Sequence, residues 1–204
     1  LELFDNKTPL KQKRITAEVC VHHLWFSDED YKTKGNLIKW NPAVKTKSDR
    51  DTILKGILEN KIDVVCTDHA PHTFEEKKQS YFKAPSGGPL IQHSLVAMLE
   101  FVHQKKLTVE KVVEKMSHAL ADCFQIENRG YLREGYFADL VFTDLNSPWT
   151  VNKSNILAKC GWSPFEGQTF SSKITHTFVN GILVYENGAF NESKRGQRLL
   201  FDRK

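Results

Sequence analysis

The sequence predicts an α/β protein with a parallel sheet, followed by a smaller β-rich unit. Three observations carry this reading. Strand-like and helix-like segments alternate through the first part of the chain, the signature of parallel strands joined by helices. The apolar run Val64-Val65-Cys66 lacks polar alternation, as suits a parallel strand covered on both faces. Near Glu127 the helical stripes stop and a hairpin pattern takes over, with Asn180-Gly181 as a type I′ turn.

The elements follow in order. Residues 14–21, rich in β-branched side chains, read as a strand. Ser27 precedes the acidic run Asp28-Glu29-Asp30, a short helix start. Residues 36–40 form a second short strand, stopped by Asn41-Pro42. From Ser48 to Glu59 the residues Ile53, Leu54, Ile57 and Leu58 fall on one helical face, with Ser48 and Asp51 as its start. Residues 62–67 make a third strand. Pro89 opens a helix through Gln104, striped by Ile91, Leu95, Met98, Leu99 and Val102. Thr108 caps another, with Val109, Val112, Val113 and Met116 inward. Ala138–Thr143 is a strand, Ile174–Tyr185 the hairpin, and Asn187-Gly188 a further turn. The boundary near 127–130 divides the chain into units 1–127 and 128–204.

Composition narrows the function classes. The 204 residues carry 29 Lys+Arg against 25 Asp+Glu, a net charge of +4, with 40% hydrophobic residues, so disorder is excluded. The basic clusters Lys11–Arg14, Lys45–Arg50, Lys77-Lys78 and Lys105-Lys106 are short and interleaved with other residues, so no nucleic-acid partner is expected. No apolar run approaches the roughly 20 residues a bilayer demands, so no membrane partner is expected either. Cys20, Cys66, Cys123 and Cys160 form no C-x-x-C and read as reduced thiols of a cytoplasmic protein. Leu1 opens no charged-then-apolar leader, which agrees, and a start without Met suggests a cut or processed chain.

Site-type residues gather where predicted strands end, the place where parallel α/β sheets build their sites. Thr67-Asp68-His69-Ala70-Pro71-His72 follows the third strand directly and places three titratable groups there; a structural turn with Asp68 capping the next helix is the less favoured alternative. Cys20-Val21-His22-His23 closes the first strand; a neutral imidazole there is a ready metal ligand, and on an extended segment only one of the two can face a common centre. Asn41 follows the second strand and offers both donor and acceptor. Ala84-Pro85-Ser86-Gly87-Gly88-Pro89 is a glycine-bearing loop leading into a helix, whose backbone N–H groups can approach an anion.

With these segments in view, the chain resembles the type I dihydroorotases of the amidohydrolase superfamily. Ala17-Glu18-Val19-Cys20-Val21-His22-His23-Leu24 is similar to the family's segment with a metal-binding His, and Asn41-Pro42-Ala43-Val44-Lys45 to its N-P-P-L-R segment. Asp68-His69-Ala70-Pro71-His72 is its most specific motif. Ala84-Pro85-Ser86-Gly87 resembles its A-P-F-G loop, Gly135–Asp144 its G-x-x-A-D-L-V stretch, and Pro164-Phe165-Glu166-Gly167 its P-F-x-G element. The resemblance implies the C-terminal part of a (β/α)8 TIM-type barrel plus a small β-rich, sandwich-like domain, and a binuclear Zn2+ centre. On it, His22 and Asp68 are metal ligands and Asp68 is also the proton shuttle. Asn41, His72, Ser86 and Gly87 hold the substrate. The implied reaction is the reversible, zinc-dependent cyclisation of N-carbamoyl-L-aspartate to L-dihydroorotate in pyrimidine biosynthesis.

The family's opening H-x-H-x-R strand has no counterpart here, since no His-x-His occurs. Three candidate barrel strands also fall short of a barrel of about 250 residues. The expectation is therefore a C-terminal half whose partner is the missing N-terminal half, inactive by itself, with a homo-oligomer left open. The competing reading is a non-catalytic, dihydroorotase-like scaffold protein; retention of His22, Asp68 and His72 together argues against it. Hydrolases of hydantoins or allantoin are disfavoured by D-H-A-P-H preceded by the Asn-Pro segment.

Overall fold

A computed structural model describes residues 1–193 and 195–202. The chain begins with β1 (Glu18–Cys20) and α1 (Val21–Trp25), then α2 (Tyr31–Lys34), α3 (Lys47–Leu58) and β2 (Val64–Cys66). There follow α4 (Phe74–Lys77), α5 (Ile91–His103), α6 (Val109–Val113) and α7 (Ala119–Phe124). The rest is β3 (Leu140–Asp144), β4 (Trp149–Thr150), β5 (Thr169–Phe170), β6 (Lys173–Val179), β7 (Ile182–Glu186) and β8 (Ala189–Phe190). The molecule is α/β, as expected, with its helices before Gln125 and most strands after it.

β1 and β2 pair in parallel, with Glu18 opposite Val64 and Cys20 opposite Cys66. Among the described residues this sheet has only these two strands. The start of β2 is pinned by a buried ion pair: Lys13 Nζ lies 2.6 Å from Asp63 Oδ1, both side chains 6% exposed. Asp63 Oδ2 accepts the Ala17 N–H at 2.9 Å, and the Asp63 N–H returns a bond to Ala17 O at 2.9 Å.

The predicted strand at 36–40 is instead a turn of 3-10 helix over Gly35–Ile38, then two extended residues outside any sheet. Ile38 and Trp40 are buried, which gives the apolar spacing of a strand. The backbone is claimed elsewhere: Lys39 O accepts the Gly87 N–H at 2.9 Å rather than a ladder bond. The first strand is likewise shorter than 14–21, because Val21 already begins a helix. α3 starts from a Thr46/Asp49 capping box, not from Ser48 and Asp51; Thr46 Oγ1 accepts the Asp49 N–H at 3.2 Å. Ile57 is fully buried on α3 while Leu58, one step around the helix, is 51% exposed.

Of the predicted stripe α5 buries Met98 and Leu99, while Leu95 and Val102 are half-buried and Ile91 is exposed; Val96, Ala97 and Phe101 carry the rest of its core face. Thr108 caps α6, its Oγ1 accepting the Lys111 N–H at 3.2 Å. Only Val112 of the three valines turns fully inward; Val109 and Val113 are exposed. A π turn over Glu114–His118 joins α6 to α7.

β3, β6, β7 and β8 form one antiparallel sheet in that order, and β4–β5 a separate pair. Asn180 and Gly181 both have positive φ, 53° and 78°, as the type I′ turn between β6 and β7 requires. Arg129 anchors that turn: it pairs with Asp139 and donates to Asn180 Oδ1 at 2.6 Å. The other β pair packs inward. Phe165 and Phe170 lie in the same apolar core as Leu24, Trp40, Ile57 and Met98. Buried His93 on α5 stacks near Trp149 and Phe170 and hydrogen-bonds Ser163 Oγ through Nδ1 at 3.2 Å.

Candidate active site

The carboxyl ends of β1 and β2 lie side by side because the strands are parallel and in register. β1 delivers Cys20, His22 and His23; β2 delivers Cys66, Asp68, His69 and His72. His22 and His23 do not splay to opposite sides as an extended segment would require. The chain turns helical at Val21, and the two rings lie 4.0 Å apart. Ligand atoms of Cys20, His22 and His23 all fall within 4.8 Å of one another.

His22 is the unusual member. It is fully buried, stacked on Trp40 at 4.0 Å with the rings 12° from parallel, and neither Nδ1 nor Nε2 makes a well-formed hydrogen bond, the Thr67 backbone being the nearest polar group to act on it. Burial, helped by the neighbouring His23 and only weakly opposed by the Thr67 backbone, lowers its pKa to about 2, so the ring is neutral and presents lone-pair nitrogen. A buried, unsatisfied imidazole is costly unless something fills the gap, and a metal ion fits this donor set. His23 Nε2 lies 2.8 Å from Pro42 O, which ties β1 to the Asn41–Pro42 segment. Burial also lowers the His23 pKa, opposed by that contact and by the charge of Asp68.

Asp68 is exposed and has a left-handed backbone, φ 49°, rare for a residue with a Cβ and typical of strained functional positions. Its charge is felt by His23, Cys20 and Cys66, yet it stands outside the compact Cys20–His22–His23 cluster. Asp68 does not cap the following helix: α4 is capped by Thr73, whose Oγ1 accepts the Glu76 N–H at 3.3 Å. His69 instead reaches the start of α5, where its Nδ1 accepts the N–H groups of Leu90 at 3.0 Å and Ile91 at 3.3 Å. The second residue of D-H-A-P-H is thus structural.

His72 reaches the glycine loop. Its Nε2 is 3.0 Å from Ser86 O, and its own carbonyl accepts the Trp162 indole N–H at 2.8 Å. Gly87 has φ +121°, and a Cβ there would lie 2.5 Å from that of Ala70. Gly88 is equally confined, since a Cβ would lie 2.8 Å from the Trp40 ring. The same tryptophan therefore touches the His22 ring and the loop. Asn41, immediately after it, is exposed.

Two features were not legible in the sequence. Lys77, grouped there with surface basic residues, is 1% exposed and donates to three carbonyls. Cys20 and Cys66 bring their sulfurs to 3.3 Å; the shared hydrogen bond pushes the Cys20 thiol up and Cys66 down. In-register neighbours on parallel strands would have predicted that contact had the pairing been known. A cavity of about 560 Å³ between Lys11, Arg129 and Tyr131 involves none of the candidate residues.

Parallel strands with titratable groups at one end and a buried neutral imidazole make a site whose donors could hold a metal ion, as hydrolase sites of this class do. The sequence agrees: the model of the amidohydrolase family matches residues 5–184, and the chain belongs to that family. It is 36% identical over 172 residues to a dihydroorotase of Clostridioides difficile, covering 84% of this chain and 40% of that relative. A dihydroorotase of Pyrococcus furiosus is 32% identical over 186 residues, covering 91% of this chain and 43% of the relative. Among solved structures, the L-hydantoinase (dihydropyrimidinase) of Arthrobacter aurescens superposes with a TM-score of 0.82 at 27% identity, over 86% of this chain and 40% of the other. The chain thus spans well under half the length of these relatives. Among the described residues, no helix is long and apolar enough to cross a membrane.

Proposed function

We propose that this chain is the C-terminal part of a zinc-dependent dihydroorotase, a cyclic amidohydrolase that interconverts N-carbamoyl-L-aspartate and L-dihydroorotate in the cytoplasm for pyrimidine biosynthesis. Buried His22, with no well-formed hydrogen bond at either nitrogen and clustered with Cys20 and His23, carries the reading. The similarity to dihydroorotases supports the substrate class. In this reading residues 1–127 belong to a (β/α)8 barrel and 128–204 to a small β-rich domain. Among the described residues no further strand pairs with β1 or β2, and in this reading an N-terminal half supplies the neighbouring barrel strands.

His22 and Asp68 would hold the metal, which when bound polarises the ring amide carbonyl and activates water. Asp68, exposed at the carboxyl end of β2, would take the proton of the attacking water and deliver it to the departing ring nitrogen. Asn41 and His72 orient the substrate carboxylate, with the backbone at Ser86 and Gly87 completing the cradle. Ring closure runs through the same proton transfer in reverse.

The experiment is His22→Asn in the full-length enzyme, with bound zinc measured alongside dihydroorotate hydrolysis. Loss of at least about half the zinc and of activity by two or more orders of magnitude is expected. Wild-type zinc content in the variant removes His22 from the metal centre. A wild-type enzyme that holds no zinc and turns over neither substrate supports the non-catalytic scaffold instead.

A further inference from the structure

The geometry points to Lys77 as a positioning residue that fixes the substrate-facing loop 85–88 against the Asn41 segment and turns the Ser86 N–H toward the ligand. The proposal rests on the reading of Asn41, Ser86 and Gly87 as substrate-facing.

Lys77 is the last residue of α4, a one-turn helix held by a Thr73/Glu76 capping box. Its side chain runs inward rather than into solvent, and the residue is 1% exposed. The ammonium sits 5.9 Å from both the Trp40 and the Trp162 ring. Its three hydrogens go to Gly87 O at 2.7 Å, Pro85 O at 2.9 Å and Lys39 O at 3.2 Å. An ammonium has three donors, and here all three are spent on main-chain oxygens. Among the described residues no carboxylate pairs with it, so the charge is balanced by carbonyl dipoles and the faces of two tryptophans. Such an arrangement is expensive for mere packing, for which Met or Leu would serve.

The three carbonyls belong to the two segments that matter. Lys39 lies two residues before Asn41; Pro85 and Gly87 flank Ser86. Lys39 O also accepts the Gly87 N–H at 2.9 Å, so the two segments are joined directly beside the ammonium. A trans peptide points its N–H opposite to its C=O. Drawing Pro85 O toward Lys77 therefore turns the Ser86 N–H away from it. On the other side Ser86 O meets His72 Nε2 at 3.0 Å. The loop is held from beneath by a cation and from the front by a site residue. A donor aimed at an anion gains most when it is fixed beforehand, because no ordering cost is left for the substrate.

Burial lowers the Lys77 pKa to about 8, assisted by the charge of Lys39. Lys39 is itself tied to the loop, donating to Tyr81 O and Ala84 O at 2.6 Å each.

The test uses the full-length enzyme and two variants, Lys77→Met and Lys77→Ala. Amide hydrogen exchange is followed over residues 84–90, and KM and kcat are measured with dihydroorotate. In Lys77→Met, exchange at Ser86–Gly88 should rise about tenfold while β1, β2 and α5 keep wild-type protection. KM should rise about tenfold, with a smaller change in kcat. Propylammonium, which replaces the atoms missing from Lys77→Ala, should lower that variant's KM toward wild type, whereas tetramethylammonium at equal ionic strength should not. Unchanged exchange in the loop overturns the proposal. So does a rise spread over the whole molecule, which is general destabilisation, or a loosened loop with wild-type KM. If the wild type turns over neither dihydroorotate nor carbamoyl aspartate, the functional assignment fails, and Lys77 as the anchor of the loop stands or falls on the exchange result alone.

Discussion

Asp63 offers the most direct test of how the end of the sheet opposite the site is held. Its carboxylate has two partners, the Lys13 ammonium at 2.6 Å and the Ala17 N–H at 2.9 Å, and both ion-pair side chains are 6% exposed. Nearby Lys115, 3% exposed, is held mainly by Glu114 and feels the charge of Asp63 as well. Asp63→Ala therefore leaves one buried cation unpaired, weakens support for a second and orphans a backbone N–H. Removing one partner of a buried pair costs about 3–5 kcal/mol. A lost charge-assisted backbone bond falls inside that range rather than adding to it. Replacing both partners, Lys13→Met with Asp63→Leu, should restore stability to within about 1–2 kcal/mol of wild type, since it removes the desolvated charges along with their attraction. The assay is urea unfolding of the full-length polypeptide and the double-mutant cycle built from it. A strictly additive cycle, or an Asp63→Ala cost below about 1 kcal/mol, refutes the reasoning.

Two further outcomes follow from single positions. Gly87→Ala should lower kcat/KM for dihydroorotate at least about tenfold and destabilise by about 1–3 kcal/mol, because φ +121° and a 2.5 Å approach to Ala70 both oppose a Cβ. Gly135→Ala is the control: its φ is +82° but nothing lies within 4 Å, so activity should be unchanged. Burial lowers the His93 pKa to about 4 from 6.5, so between those values the unfolded chain takes up a proton that the folded one refuses. Stability should therefore fall as pH drops through that window, by at most on the order of 3 kcal/mol. His93→Gln should flatten the dependence, measured as unfolding midpoint against pH; parallel curves for the two proteins would count against it.

Local chemistry was legible wherever a residue's neighbours are near in sequence. The Asn180-Gly181 turn and the Thr108 cap need only a few adjacent residues, and each formed as read, while the α5 stripe held only at Met98 and Leu99. Residues 36–40 misled because buried Ile38 and Trp40 mimic strand alternation, whereas the bond that decides their conformation comes from Gly87, remote in sequence. His22 and His23 misled in the opposite way: period-2 logic applies only while the strand continues, and the strand stops at Cys20. Lys77 was hidden among basic residues because burial is a property of the packed loop, not of a Lys-Lys pair. His69 shows the same limit, since a motif records that an imidazole is present but not that it is spent on the α5 amides.

The neighbouring thiols of Cys20 and Cys66 carry a practical corollary. Their sulfurs meet at the mouth of the sheet, both residues partly accessible, two positions before His22 and Asp68 respectively. Thiophilic reagents such as organomercurials or trivalent arsenicals find a ready pair of soft donors there. Preparations handled without reductant, or exposed to traces of heavy metal, are thus vulnerable to modification right beside the proposed metal site.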